Sequence, residues 1–195
     1  MSQIQLLLLR HCESAFNADQ TNRAPDVPLT LKGCREAQEL TVPFNVSRVV
    51  CSPLRRCKDT LLLSELALIG KERVHVEPLC REHRTDACDF FIDEPVVFES
   101  VAEVVRRVDA FKELLRTRHR AAPQEDGFVW AVVSHADFLF YFTAVIGEDG
   151  DYYGQWLRNG ESVVWTLAVP PSVKTTTQVA VVDETKKEEE EETKK

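Results

Sequence analysis

Three short apolar runs in this chain each stop at residues that carry charge or a nucleophile, and this pattern constrains the fold most. Ile4–Leu9 runs into Arg10-His11, Val46–Cys51 into Ser52-Pro53, and Phe128–Val133 into Ser134-His135. Each run has the length of a strand. Near-continuous rather than alternating hydrophobicity is what a strand shows when helices cover both faces of a parallel sheet.

The segments between the runs carry helical spacing. Thr30 is placed as an N-cap before Leu31, Ala37 and Leu40, and Ser52-Pro53 opens a second helix that carries Leu54, Leu61, Leu62 and Leu66 to near Gly70. Ser100-x-x-Glu103 forms a capping box ahead of Val101, Val104, Val105, Val108, Phe111 and Leu115, and Phe138 to Ile146 reads as a helix that stops at Gly147. Val74–Val76, Ser162–Val169 and Gln178–Val182 read as further strands, and 78–97, which has no clean period, reads as a long loop. Such alternation predicts an α/β fold, a three-layer sandwich with a central, mostly parallel sheet flanked by helices. One domain is expected over residues 1–182, followed by a charged Lys/Glu tail at 183–195 that lacks the apolar residues to fold.

Charge narrows the partners. Formal net charge is −8, of which the last 13 residues, with seven acids and four lysines, contribute −3. An acidic body offers no global attraction to nucleic acid or to anionic membranes, so an anionic ligand has to be drawn by a local positive cluster. The Ile4–Leu9 run is too short for a signal-peptide core and no apolar segment is long enough for a bilayer span. With six cysteines showing no CxxC pair, the expectation is reduced thiols in a cytoplasmic protein.

Ligands in parallel α/β sheets sit beyond the carboxyl ends of the strands, where this chain keeps Arg10, His11, Arg55, Arg56 and His135. Guanidinium groups bind phosphate oxygens bidentately and stay charged at working pH. Imidazole is a competent nucleophile toward phosphorus. Two arginines and two histidines at one point therefore describe phosphoryl transfer in which the protein supplies the positive charge, with no metal and no cofactor.

The motifs around these residues resemble those of the histidine phosphatase superfamily, the phosphoglycerate-mutase-like proteins of the RHG branch. Leu9-Arg10-His11-Cys12-Glu13-Ser14-Ala15-Phe16-Asn17 resembles the RHG signature, and Asp26-Val27-Pro28-Leu29-Thr30-x-x-Gly33 the D-x-P-L-T-x-x-G segment. Ser52-Pro53-Leu54-Arg55-Arg56-x-x-x-Thr60 is similar to S-P-L-x-R-x-x-x-T, which selects Arg56 over Arg55. Leu79-Cys80-Arg81-Glu82 is similar to an L-x-E stretch, Val132-Val133-Ser134-His135 to the V-S-H segment, and Asn159 stands where the family often has Asn before its last core strand. Five pieces in the right order are far more specific than any one of them.

The resemblance implies roles. His11 is the nucleophile that forms a phosphohistidine. Arg10, Arg56 and His135 hold the phosphoryl oxygens, Ser14 and Asn17 add hydrogen bonds, and Glu82 is the proton donor, with Asp137 a rival for that task. It implies a metal-independent hydrolase for a small phosphorylated substrate or a phosphoprotein, with a phosphoglycerate-type mutase or a non-catalytic phospholigand-binding relative as alternatives. Two departures bear on the last: Cys12 replaces the glycine of RHG, and Ala136 the glycine usual after the second histidine. A turn that needs φ > 0 at either place would distort the pocket, and an exposed Cys12 would make activity sensitive to oxidation.

Overall fold

Five strands make the central sheet in a computed structural model that describes residues 2–42, 45–121 and 129–171. In chain order its elements are β1 (Ser2–Arg10), α1 (Ala15–Ala18), α2 (Leu31–Glu39), β2 (Val46–Cys51), α3 (Arg55–Leu63), β3 (Val74–Val76), α4 (Val101–Ala121), β4 (Val129–Ser134), α5 (Ala136–Thr143), β5 (Val145–Ile146), β6 (Tyr152–Tyr153) and β7 (Ser162–Val169). The sheet order is β3-β2-β4-β1-β7; the first four strands are mutually parallel and β7 closes the edge antiparallel to β1.

The pleat distributes the apolar run of β1 between two helical layers. Ile4, Leu6 and Leu8 pack with Trp130, Val132, the α4 residues Val108, Phe111 and Leu115, and Phe138, Leu139 and Phe142 of α5. Leu7 and Leu9 face the other way, with Val49, Ala131 and Val133, against Cys57 and Leu61 of α3. This is the three-layer sandwich expected from the continuous runs. No helix of the described residues is long and apolar enough to cross a membrane.

Register brings the strand ends level. Arg10 pairs with Ser134 across β1 and β4, and Cys51 with Val133 across β2 and β4. His11 N–H then donates to Ser134 O (2.9 Å) and Ser52 N–H to Val133 O (3.0 Å), so the three polar pairs emerge side by side on one edge.

Two boundaries differ from the sequence reading. The helix after Ser52-Pro53 begins only at Arg55 and ends at Leu63, its last turns giving way to a 3-10 turn over Glu65–Leu68. The helix expected to reach Ile146 stops at Thr143, whose hydroxyl donates back to Leu139 O (2.9 Å) and accepts from Gln155 N–H (2.8 Å); Val145–Ile146 pairs instead with Tyr152–Tyr153. The expected strand at Gln178–Val182 and the tail at 183–195 lie outside the described residues.

Gly33 shows how closely α2 meets the loop after β1. The Thr30 hydroxyl caps α2 by accepting from Gly33 N–H (2.9 Å), and Thr30 N–H donates to Glu13 O (3.0 Å). An added Cβ on Gly33 would fall inside contact distance of the Glu13 backbone. Because that neighbour is main chain two residues after His11, Gly33→Ala should lower stability by about 1–3 kcal/mol. Urea denaturation checks this; an unchanged midpoint would show that the loop yields freely.

Candidate active site

A cavity of about 290 Å³ opens beyond the carboxyl ends of β1, β2 and β4, its inner wall formed by Arg10, His11, Ser14, Asn17, Arg56 and Glu82. Arg56, on the first turn of α3, is buried, whereas Arg55 points outward to Asp59 with its side chain 59% exposed. The Arg56 guanidinium is surrounded by acceptors. Its Nη1 donates to Cys88 O (2.9 Å), its Nη2 to the Asp89 carboxylate (2.9 Å), and its Nε lies 3.3 Å from His11 Nε2 and 3.2 Å from His135 Nδ1.

These contacts fix the imidazole tautomers. His11 Nδ1 lies 2.7 Å from Cys12 O, which only accepts, so Nδ1 carries the proton and Nε2 is left unprotonated to accept from Arg56 Nε–H. Burial, and then the Arg56 charge, hold the His11 imidazole well below the usual histidine range, and it is neutral at working pH. His135 is treated likewise by burial and Arg56; its Nδ1 accepts from Arg56 and its Nε2–H donates to Ser52 Oγ (2.7 Å). The two rings meet edge to face at 5.1 Å. His135 is fully buried and stands behind Arg56 rather than on the cavity wall.

Arg10 donates from Nη1 to Leu157 O (2.8 Å); burial lowers its pKa while Glu82 and Asp137 oppose that shift. Ser14 N-caps α1 and donates to Asn17 Oδ1 (2.8 Å), which also accepts from Asn159 Nδ2 (3.0 Å); Asn159 donates as well to His11 O (3.1 Å). Thus Ser14, Asn17 and Asn159 form one chain of hydrogen bonds beneath the loop after β1.

Glu82 and Asp137 separate clearly. Glu82 Oε1 accepts from His83 N–H (2.9 Å) and from Phe138 N–H at the start of α5 (3.1 Å). Burial, with Asp137 and Asp89 nearby, pushes its carboxyl up to about 8, so it holds a proton at neutral pH. Asp137 lies 3.5 Å from His83 Nδ1 with its side chain 32% exposed. The Arg107 side chain anchors the segment that carries Glu82, donating to Leu79 O (2.9 Å), Arg81 O (2.8 Å) and Glu82 O (3.0 Å) while paired with Glu99 (2.7 Å).

Neither glycine replacement distorts the site. Asp26 is the one non-glycine residue with positive φ among those described, so Cys12 and Ala136 have ordinary backbones. The Cys12 thiol points away from the cavity into a small core with Leu29 and Ala37; burial pushes it up to about 12, which leaves no thiolate to oxidise. All six cysteines are free thiols. No cluster of three or more His, Cys, Asp or Glu among the described residues is arranged to hold a metal ion.

Asp89 is the site residue that sequence reasoning missed. It lies in the unperiodic 78–97 loop, buried on the Arg56 guanidinium, and accepts in addition from Thr85 and Asp86 N–H (3.3 and 3.1 Å). Burial raises its carboxyl despite Arg56. The only signal in the sequence was that a buried arginine requires a counter-charge.

Residues 6–89 match the sequence model of the histidine phosphatase superfamily, branch 1. That segment, which is similar to the family, holds Arg10, His11, Arg56, Glu82 and Asp89. The remaining elements complete a fold shared with solved structures. YhfR of Bacillus stearothermophilus superposes with a TM-score of 0.62 at 19% identity, covering 83% of this chain and 90% of that one. The ecdysone phosphate phosphatase of Bombix mori gives 0.60 at 16% identity, covering 87% and 95%. The alpha-ribazole phosphatase of Shigella flexneri gives 0.52 at 24% identity, covering 70% and 76%. A comparison with curated proteins finds no match.

The raised Glu82 carboxyl ties stability to pH. Below its ordinary 4.5 the group is protonated in both folded and unfolded chains; between 4.5 and about 8 the unfolded chain ionises while the folded one keeps the proton. The unfolded state then binds fewer protons, so this contribution is full below 4.5 and is lost as pH rises to about 8. Urea midpoints measured across that window should fall less in Glu82→Gln than in the parent. Parallel pH profiles would show that Glu82 titrates normally.

Proposed function

We propose that this chain hydrolyses phosphate monoesters, of a small molecule or a phosphoprotein, through a phosphohistidine on His11 and without a metal ion. The observation that carries the reading is the His11 tautomer: a neutral, buried imidazole on the cavity wall whose unprotonated Nε2 lies against the Arg56 guanidinium, with Arg10 on the same wall. Nε2 attacks phosphorus while Arg10 and Arg56 neutralise the non-bridging oxygens, and the bond from phosphorus to the ester oxygen breaks. The protonated Glu82 carboxyl gives its proton to that departing oxygen. As carboxylate it then takes a proton from a water that attacks the phosphohistidine, releasing phosphate and restoring His11. His135 acts from behind, accepting from Arg56 Nε–H and so holding the guanidinium in place beside His11. Ser14 and Asn17 hold the loop after β1 and line the cavity where an oxygen would lie.

The binding-only alternative drew on Cys12 and Ala136, and the catalytic reading is supported by their backbones, neither of which takes the positive φ that would need glycine. The phosphatases with this fold point the same way, ecdysone phosphate phosphatase and alpha-ribazole phosphatase among them.

With an aryl phosphate and EDTA, the purified chain should turn over and His11→Ala should not. Glu82→Gln should lose about 10²–10⁴-fold in kcat. Because the acid form of Glu82 is required, kcat/KM should fall as pH rises through about 8. Activity that needs added metal, or that survives in His11→Ala, would overturn the mechanism.

A further inference from the structure

The phosphate end and the outer end of the cavity differ in chemistry. Beyond Arg10, His11 and Arg56 the wall carries two aromatic rings, Phe16 and Trp156, and its remaining titratable residues are all acids: Asp86, Asp89 and Asp137, with Glu82 holding its proton. Among the described residues lining the cavity, Arg10 and Arg56 are the only permanent cations, and Asp89 already engages Arg56. A phosphate dianion needs both arginines, which leaves none for a second anionic group on the same substrate. Asp86 does have a cation, Arg23 at 3.2 Å, but that side chain is 68% exposed and screened by water.

Trp156 supplies the opposite preference. The residue is 59% exposed although it lines the cavity, and its ring meets Phe140 of α5 edge-on at 6.3 Å. Phe16 sits on α1, five residues after His11. Exposed aromatic surface beside a phosphate site is a ready face for a flat apolar group, and the held ring loses little freedom on contact.

We infer that the site takes phosphomonoesters whose leaving group is a flat, uncharged aromatic ring packed on Trp156 and Phe16, and rejects leaving groups that bear a further anionic group. The inference rests on the phosphate-site reading above, and its test is independent of turnover. Phosphonates hold the ring on a C–P bond that the reaction does not cleave. Titration calorimetry on the full chain would compare phenylphosphonate, methylphosphonate and 4-carboxyphenylphosphonate. Phenylphosphonate should bind about tenfold tighter than methylphosphonate, the worth of one well-placed ring contact. The carboxyphenyl analogue should bind about tenfold or more weaker than the phenyl one, from repulsion by the outer carboxylates. Trp156→Ala should erase the phenyl preference, with circular dichroism confirming the fold, and Asp137→Asn should narrow the carboxylate penalty.

Equal affinities for phenyl- and methylphosphonate, tightest binding of the carboxyphenyl analogue, a phenyl preference that survives Trp156→Ala, or no binding of any phosphonate would each overturn the inference. Turnover of phenyl phosphate, measured alongside, judges the phosphatase reading separately. Selective binding without turnover would sink the mechanism and leave the ring preference standing; turnover without selectivity would do the reverse.

Discussion

A guanidinium cannot shed its proton, so a chain that buries Arg56 at the end of three strands has to surround it with acceptors. The acceptors come from every part of the fold that meets there: Asp89 and the Cys88 carbonyl from the long loop after β3, His11 from the end of β1, and His135 from the end of β4. Because one Nε–H faces both ring nitrogens, each imidazole must accept, and their tautomers are set by that requirement. In the proposed mechanism the Arg56 charge that neutralises a phosphate also adds to burial in keeping His11 unprotonated.

Burial works on the acid in the opposite sense. Withdrawal from water favours the neutral form of any titratable group, so one environment yields an unprotonated histidine and a protonated Glu82. A base and an acid poised apart in this way are what transfer to nitrogen with departure of an alcohol requires. The cost of holding such groups is met by secondary anchors. Arg107 ties three carbonyls of the Glu82 segment to α4, and Asn159 ties the His11 and Asn17 loop to the turn before β7.

The fold was legible because the runs ending at Arg10-His11, Ser52-Pro53 and Ser134-His135 are buried on both faces, and only a covered parallel sheet accommodates that. Motif spacing also separated Arg56 from Arg55, a distinction that helical geometry alone would have left open. What sequence could not supply lay where local pattern is weakest. Asp89 reaches Arg56 through an unperiodic loop, and no spacing rule reports which carboxylate folds back. The end of α5 was misplaced because Val145 and Ile146 continue its apolar run, while a hydroxyl bond from Thr143 and pairing with Tyr152–Tyr153 decide the boundary. The concern over Cys12 needed a backbone angle, which no composition reveals. The motif favoured Glu82 over its rival Asp137, but the burial of the one and the His83 contact of the other are tertiary features that no local pattern carries.

The central claim is that His11 carries the phosphoryl group during turnover. Rapid quenching with a ³²P-labelled aryl phosphate, followed by peptide mapping, reads this directly. The account predicts protein-bound label that is stable in base, labile in acid and located on His11. Label on a cysteine or a carboxylate would contradict it, as would turnover with no labelled protein at any time.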